Sequence, residues 1–233
     1  MKRFYKQVAV VARGEGLCIE LDGRLVRTPK KAPFAVAGEA LAEAIAEEWR
    51  RQGEHIKPDS MPLLRLANTA LDVVGAQRSA VVANLAGFGG ADLLCYWAGE
   101  PEDLVARQEK IWSPWLTWAA KQHGAALATT IGIRHIAQDE AALAALHRAV
   151  DSHDSMELAG LNDLVTISGS LILALALSAG VLDTAAAWTA AHLDHEYQAE
   201  HWGQDGEAEA DAVRLRGEFG QAARFLDLYR ATE

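Results

Sequence analysis

The stretch DHEYQAEHWGQDGEAEADAVR, residues 194–214, sets three carboxylates, two histidines, a tyrosine, a glutamine and a tryptophan within nine positions. An acidic run follows it. Such density is the raw material of a metal site or of acid–base chemistry. A zinc-protease signature needs two histidines four residues apart on one helical face. Here His195 and His201 are six apart, which leaves their rings about 120° apart around a helix. His192 and Glu196 have the i, i+4 spacing and could supply two ligands. No second pair is evident elsewhere, so a polar helix edge with a His–Glu contact is the favoured reading. The enzymatic alternative is a small metal- or acid/base-dependent enzyme built on His192, His195 and Glu196.

The other familiar chemistries lack their residues. No G-x-S-x-G elbow occurs; the SGS at residues 168–170 leads into an apolar helix and reads as a cap or a close-packing site. The GFGG at residues 87–90 has no Lys-Ser/Thr of a phosphate loop and reads as a turn between helices. No cofactor is expected.

Two further groups concern recognition rather than reaction. Seven tryptophans are present, and QEKIWSPWLTW spaces Trp112, Trp115 and Trp118 at i, i+3, i+6, so they drift around a helix. One or two suit the core, and one left over suits an interface, where tryptophan is a favoured anchor. On a single helix over residues 183–201, Trp188, Ala191, His195 and Ala199 fall on one stripe that Trp202 extends, while Ala186, Ala190, Leu193 and Tyr197 form another. Glu196 falls outside both, beside Thr189, His192 and Glu200. The acidic run Asp205, Glu207, Glu209 and Asp211 precedes and opens the last helix, where negative charge complements the helix dipole.

These residues need elements to hold them. The opening segments YKQVAVVA, LCIELDG and RLVRTP are β-branched and partly alternating, and Asp22-Gly23 between two of them is a hairpin signal. From Gly38 the period changes to 3.6, with Leu41, Ala44, Ile45 and Trp49 on one face. The expected architecture is α+β: residues 1–37 a β-rich, antiparallel N-terminal subdomain, residues 38–233 a larger, mainly α-helical domain. Helices are expected over 103–123, 139–152, 158–179, 183–201 and 207–229, and two more before residue 99 with a break near 87–90. Residues 126–136 are expected to be extended. SLILALALSAGVL is too short to span a bilayer comfortably and reads as a buried core helix.

Half the residues are apolar, and the formal net charge is −10, which disfavours non-specific nucleic-acid binding and anionic membranes. Cys18 and Cys95 have no C-x-x-C spacing and read as reduced packing residues. With no apolar signal segment at the start, a cytoplasmic protein is expected.

Seven segments in order go further: RFYKQVAV, LDGRLVRTP, EWRRQGEHIKPDSMPLLRLANTALD, DLLCYWA, QEKIWSPWLTW, GSLILALAL and LDHEYQAEHWGQDGEAE. Over nearly its whole length the chain resembles the assembly chaperones that bind the alpha subunit of the F-type ATP synthase catalytic head. It has Trp97 where the family usually has arginine, and His195 interrupts the acidic cluster. The resemblance implies a chaperone without a reaction, which binds the unassembled alpha subunit transiently and shields its beta-contacting surface. It implies a bacterial cytoplasmic member, the family's eukaryotic members working in the mitochondrial matrix. It places partner contacts at Glu196 first and Asp194 second, with Gln198, Glu200, Trp202, Trp112 and Trp115 as further candidates.

Overall fold

In a computed structural model, which describes residues 1–14, 16–203 and 206–231, the chain is α+β, with its strands gathered mainly at the start. It divides into two compact units. The first comprises Met1–Arg78, Asp154–Gly160 and Gln221–Glu233; the second comprises Ser79–His153 and Leu161–Gly220.

The first unit begins with a three-stranded antiparallel sheet, β1 (Val8–Arg13), β2 (Gly16–Leu21) and β3 (Arg24–Leu25), in sequential order. The Asp-Gly signal sits where expected: Leu21 pairs with Arg24, and Asp22 and Gly23 take φ of 48° and 79°. Glycine tolerates that conformation freely, and aspartate more readily than most residues. The Asp22 carboxylate accepts from the backbone N–H groups of Lys6 and Gln7, which holds its pKa below the usual range and ties down the approach to β1.

The period change at Gly38 marks the passage from strand to helix. The compact unit holding the sheet nevertheless extends well past the expected division at residue 37, to Arg78, because α1 (Glu39–Arg50) packs its apolar face on β1 and β2. Leu41, Ile45 and Trp49 are buried as the spacing predicts, and Ala42 and Ala46 widen the stripe. Glu48 is buried in the same helix. Its carboxylate accepts from the N–H groups of Leu63 and Leu64 at 2.8 and 2.9 Å, the first turn of α2 (Pro62–Thr69). An anion at a helix N-terminus satisfies donors that have no partner inside the helix. Burial still pushes the Glu48 carboxyl up, with the two backbone bonds opposing it. Beyond α2 the chain makes a π turn, Ala70–Val74, and enters α3 (Gly75–Gly87).

In the second unit, a 3-10 turn at Phe88–Ala91 replaces the expected simple break, and a second follows at Leu93–Cys95. The extended region expected over 126–136 shrinks to β5 (Thr130–Ile131), paired in parallel with β4 (Tyr96–Trp97). The helix α4 (Glu102–His123) matches its expected span and ends at Gly124, with φ 74°. The helix α5 (Glu140–Asp151) starts on an Asp139 cap.

Two expected helices are each split in two. The first becomes α6 (Ser155–Ser168) and α7 (Leu171–Ser178), separated at Gly169, whose φ is 68°. The second becomes α8 (Thr184–Ala191) and α9 (Leu193–Trp202), separated at His192, with φ −110° and ψ 15°. The last helix, α10 (Gly206–Arg230), has its expected place. Every residue of α7 is buried, including Leu171 and Leu175, so SLILALAL is a core helix. No described helix is long and apolar enough to cross a membrane.

Burying α7 leaves its first N–H groups to be satisfied without water, and Asp92 does this. The residue is fully buried. One oxygen accepts from the Ser170 hydroxyl at 2.8 Å and from Leu94 N–H at 3.1 Å; the other accepts from Ile172 N–H at 3.0 Å. Ser170 in turn caps the helix by accepting from Leu173 N–H. Desolvation outweighs these bonds and raises the Asp92 carboxyl to about 6.

Asp92→Asn puts an amide N–H against one of those donors and is expected to destabilise the protein by about 1–3 kcal/mol at pH 4. Because the folded carboxyl titrates above its unfolded value, its favourable contribution is present in acid and fades as pH rises through 6. The Asn variant lacks this titration. Its penalty should therefore shrink by about 2 kcal/mol between pH 4 and pH 7, measured by urea unfolding of both proteins. A penalty that grows with pH would contradict the assignment.

Candidate functional site

The polar cluster that opened the sequence lies mostly on α9, whose start is fixed by the break at His192. The break matters because the two stripes read on one continuous helix do not survive it. One face of α9 is fastened to α4 by three side-chain bonds. Gln108 Nε2 donates to Asp194 Oδ1 at 2.7 Å, the Tyr197 hydroxyl donates to the Asp103 carboxylate at 2.8 Å, and Arg107 donates to Glu200 at 2.8 Å. Asp194, Tyr197 and Glu200, at i, i+3 and i+6, drift through about 120° around α9, and side chains of α4 meet them along that arc. The Arg107 guanidinium also lies over the Tyr197 ring, 5.2 Å from its centre.

These contacts differ in character. Gln108 is fully buried, and its Oε1 accepts from Ala98 N–H at 2.8 Å while its amide donates to Asp194. Burial raises the Asp194 carboxyl, and the Gln108 bond opposes this. The Tyr197 hydroxyl holds the Asp103 carboxyl below its usual range. Arg107 and Glu200 are both about half exposed, so their pair is a weak surface contact.

Glu196 faces elsewhere. It lines a recess of about 220 Å³ with Trp188, His192, His195, Val213 and Arg216. The His192 ring stacks on Trp188 with centroids 3.5 Å apart, and its Nδ1 lies 3.1 Å from the Trp188 carbonyl oxygen. Burial lowers the His192 pKa, the bond to the Trp188 carbonyl opposes this, and the nearby Arg216 guanidinium adds to the lowering. The structure does bring His192, His195 and Glu196 to one recess, as the enzymatic alternative needs. Among the described residues, no group of three or more His, Cys, Asp or Glu side chains is arranged to hold a metal ion.

The acidic cluster is thereby divided: Asp194 and Glu200 are engaged with α4, and Glu196 stands apart at the recess. Gln198 is exposed. Asp205 lies outside the described residues, as does the side chain of Glu207; Glu209 and Asp211 are exposed on α10.

The tryptophans also separate. Trp112 is fully buried; its indole N–H donates to the Ala190 carbonyl at 2.8 Å and its ring meets Trp97 edge-on. It is a core residue and not a surface anchor, a correction to its candidacy that follows from the face of α4 it occupies. Trp115 is half-buried beside Pro114, Ala186 and Thr189, at a shallow recess of about 590 Å³. Trp202 is 76% exposed.

Sequence reasoning missed Gln108, Asp103 and Arg107 as partners of α9. Gln108 stood at the head of the tryptophan motif, but nothing in its spacing pointed to Asp194, 86 residues on.

The family model described as ATP12 chaperone protein matches residues 2–120. The crystal structure of Atp12 from Paracoccus denitrificans superposes with a TM-score of 0.94, at 43% identity over 98% of each chain. The Atu1473 protein of Agrobacterium tumefaciens gives a TM-score of 0.92 and 40% identity, covering all of this chain and 86% of that one. The mitochondrial protein atp12 of Schizosaccharomyces pombe is 24% identical over 95% of this chain and 81% of its own.

Gln108→Leu deprives both Ala98 N–H and Asp194 of their partner. It should destabilise the fold by about 1–3 kcal/mol at pH 7. The loss should be smaller at pH 4, where Asp194 is nearer protonation and needs its donor less. Urea unfolding at the two pH values checks both the size and the sign.

Proposed function

Because the chain belongs to the ATP12 chaperone family, we propose that it is an assembly chaperone of the F-type ATP synthase, and that its client is the unassembled alpha subunit of the catalytic head. The observation that carries this is the full-length likeness to Atp12 of Paracoccus denitrificans, 43% identical over 98% of both chains. A lone head subunit exposes the large, partly apolar surface it will later bury against its neighbours, and such a surface aggregates if left uncovered. The chaperone covers the beta-contacting face of alpha without a chemical step, in the bacterial cytoplasm, and leaves when beta takes its place.

The client-binding residues in this reading are Glu196, Gln198, Glu200 and Trp202 on α9, with Trp115 beside α8. Trp202 has the exposure an aromatic anchor needs. Glu196 lines its own recess, apart from the side chains bonded to α4. Asp194 acts at one remove, through its bond to Gln108. The interface should bury roughly 1,200–2,000 Å² in total, since a smaller one would not mask an assembly surface.

The test is gel filtration of the purified protein with separately purified alpha and beta. Alpha should co-elute, and beta should displace the chaperone rather than form a ternary complex. Glu196→Lys and Trp202→Ala should each weaken alpha binding at least tenfold with little change in melting temperature. A chain that never co-elutes with alpha, or that stays bound when beta is added, sinks the proposal.

A further inference from the structure

The short ribbon of β4 and β5 has an open edge. Trp97 stands opposite Ile131, and the Gly132 N–H donates to the Trp97 carbonyl at 2.8 Å. In a parallel pair of this register Trp97 bonds across the gap to the residues on either side of Ile131, and Ile131 turns its own N–H and C=O outward. Among the described residues no hydrogen bond is made to either group. The Ile131 side chain is 72% exposed, and Ile133, just beyond the strand, is 99% exposed.

Single exposed apolar side chains are ordinary, but these two are carried on a loop that is pinned. The Gln138 amide closes its base, accepting from Ala128 N–H at 2.8 Å and donating to the Ala128 carbonyl at 2.9 Å. Across the loop, the Tyr96 hydroxyl lies 3.3 Å from His135 Nδ1. A loop ordered within its own fold has little conformational freedom left to lose when a partner meets it. The ribbon also adjoins α9. The N–H of Ala98, the residue after β4, donates to Gln108 Oε1, and Gln108 Nε2 donates to Asp194, so one buried side-chain amide joins the end of β4 to the helix of the acidic cluster.

We infer that β5 is a second client contact, continuous with α9: an extended apolar segment of the alpha subunit lies alongside β5, one of its residues exchanging both backbone bonds with Ile131 and its side chains covering Ile131 and Ile133. Addition of an extended segment to an open strand edge is a general mode of polypeptide recognition. The inference rests on the chaperone reading for the identity of the client and on the ribbon for the mode of binding. A second copy of the chain is a poor occupant. Each copy has a formal net charge of −10, which opposes self-association. An edge this short with two isoleucines also falls far below the roughly 1,200 Å² in total that a stable dimer buries. It suits a partner that is held elsewhere as well.

The experiment mixes the full-length protein with the purified alpha subunit and reads backbone hydrogen exchange residue by residue over 128–138. The Ile131 N–H, open in the free protein, should slow at least tenfold on binding, while the Gly132 N–H, already bonded to Trp97, should change less. Ile133→Ser should weaken alpha binding about tenfold. Its melting temperature should not change, since so exposed a side chain has no packing to lose. Ile131→Pro removes the outward donor at an edge position that tolerates proline, and should weaken binding about three- to tenfold.

The inference is overturned if Ile131 N–H exchanges in the alpha complex as fast as in the free protein, or if Ile133→Ser binds alpha as tightly as the parent. Protection that follows the concentration of the protein alone would make the edge a self-contact. Protection by vesicles of phosphatidylglycerol and phosphatidylethanolamine, with none by alpha, would make the loop a membrane contact; either result overturns it. These outcomes leave the chaperone reading standing wherever alpha still co-elutes. Failure of alpha to co-elute at all removes that reading, and the inference with it.

Discussion

A carboxylate with no water around it must be fully bonded or neutral, and Asp92 is where the second unit meets that constraint. Three donors converge on it, two of them backbone N–H groups and one the capping serine of α7. Without Asp92 the start of an entirely apolar helix would be buried with unpaired donors. With it, α7 can be placed wholly in the interior, and the elements that pack on α7, among them α4 and α8, gain a fixed floor. The first unit uses the same device. Glu48 reaches from α1 to the first turn of α2, and so fixes where that helix begins. In both units a buried acid on one element sets the position of the next.

Local patterns in the sequence made some of this visible. The alternation before Gly38, the Asp-Gly turn and the apolar run of α7 all depend on neighbouring residues, and all are found where the pattern puts them. The two helix breaks were not visible. Apolar residues continue at helical spacing through Gly169 and through His192, so a periodicity argument runs straight across both. The SGS motif did signal a cap, and Ser170 is one; the cap lies inside a stretch that otherwise reads as one helix. His192 carries no breaker signature at all.

The candidate site was legible as a cluster and illegible as an arrangement. The density of polar groups on α9 is a property of the sequence. Which of them are engaged is a property of the fold, because Gln108, Asp103 and Arg107 arrive from a helix about ninety residues earlier. Spacing also allowed any of Trp112, Trp115 and Trp118 to be core. The burial of Trp112 is decided by what packs on α4, which a single helix cannot reveal.

The break at His192 changes how α9 is secured. A continuous helix would share its backbone register with α8 and could open only together with it. Between His192 and Gly203, α9 is a ten-residue piece held by Leu193, Tyr197 and the side-chain bonds to α4, with the Arg107–Glu200 bond at the surface. Its amides can therefore exchange with solvent through a local opening that leaves α7 and the core beneath untouched. The helix that carries the acidic cluster can thus loosen on its own, and a partner that clamps it would register first as slowed exchange in this segment, with no change in the stability of the whole.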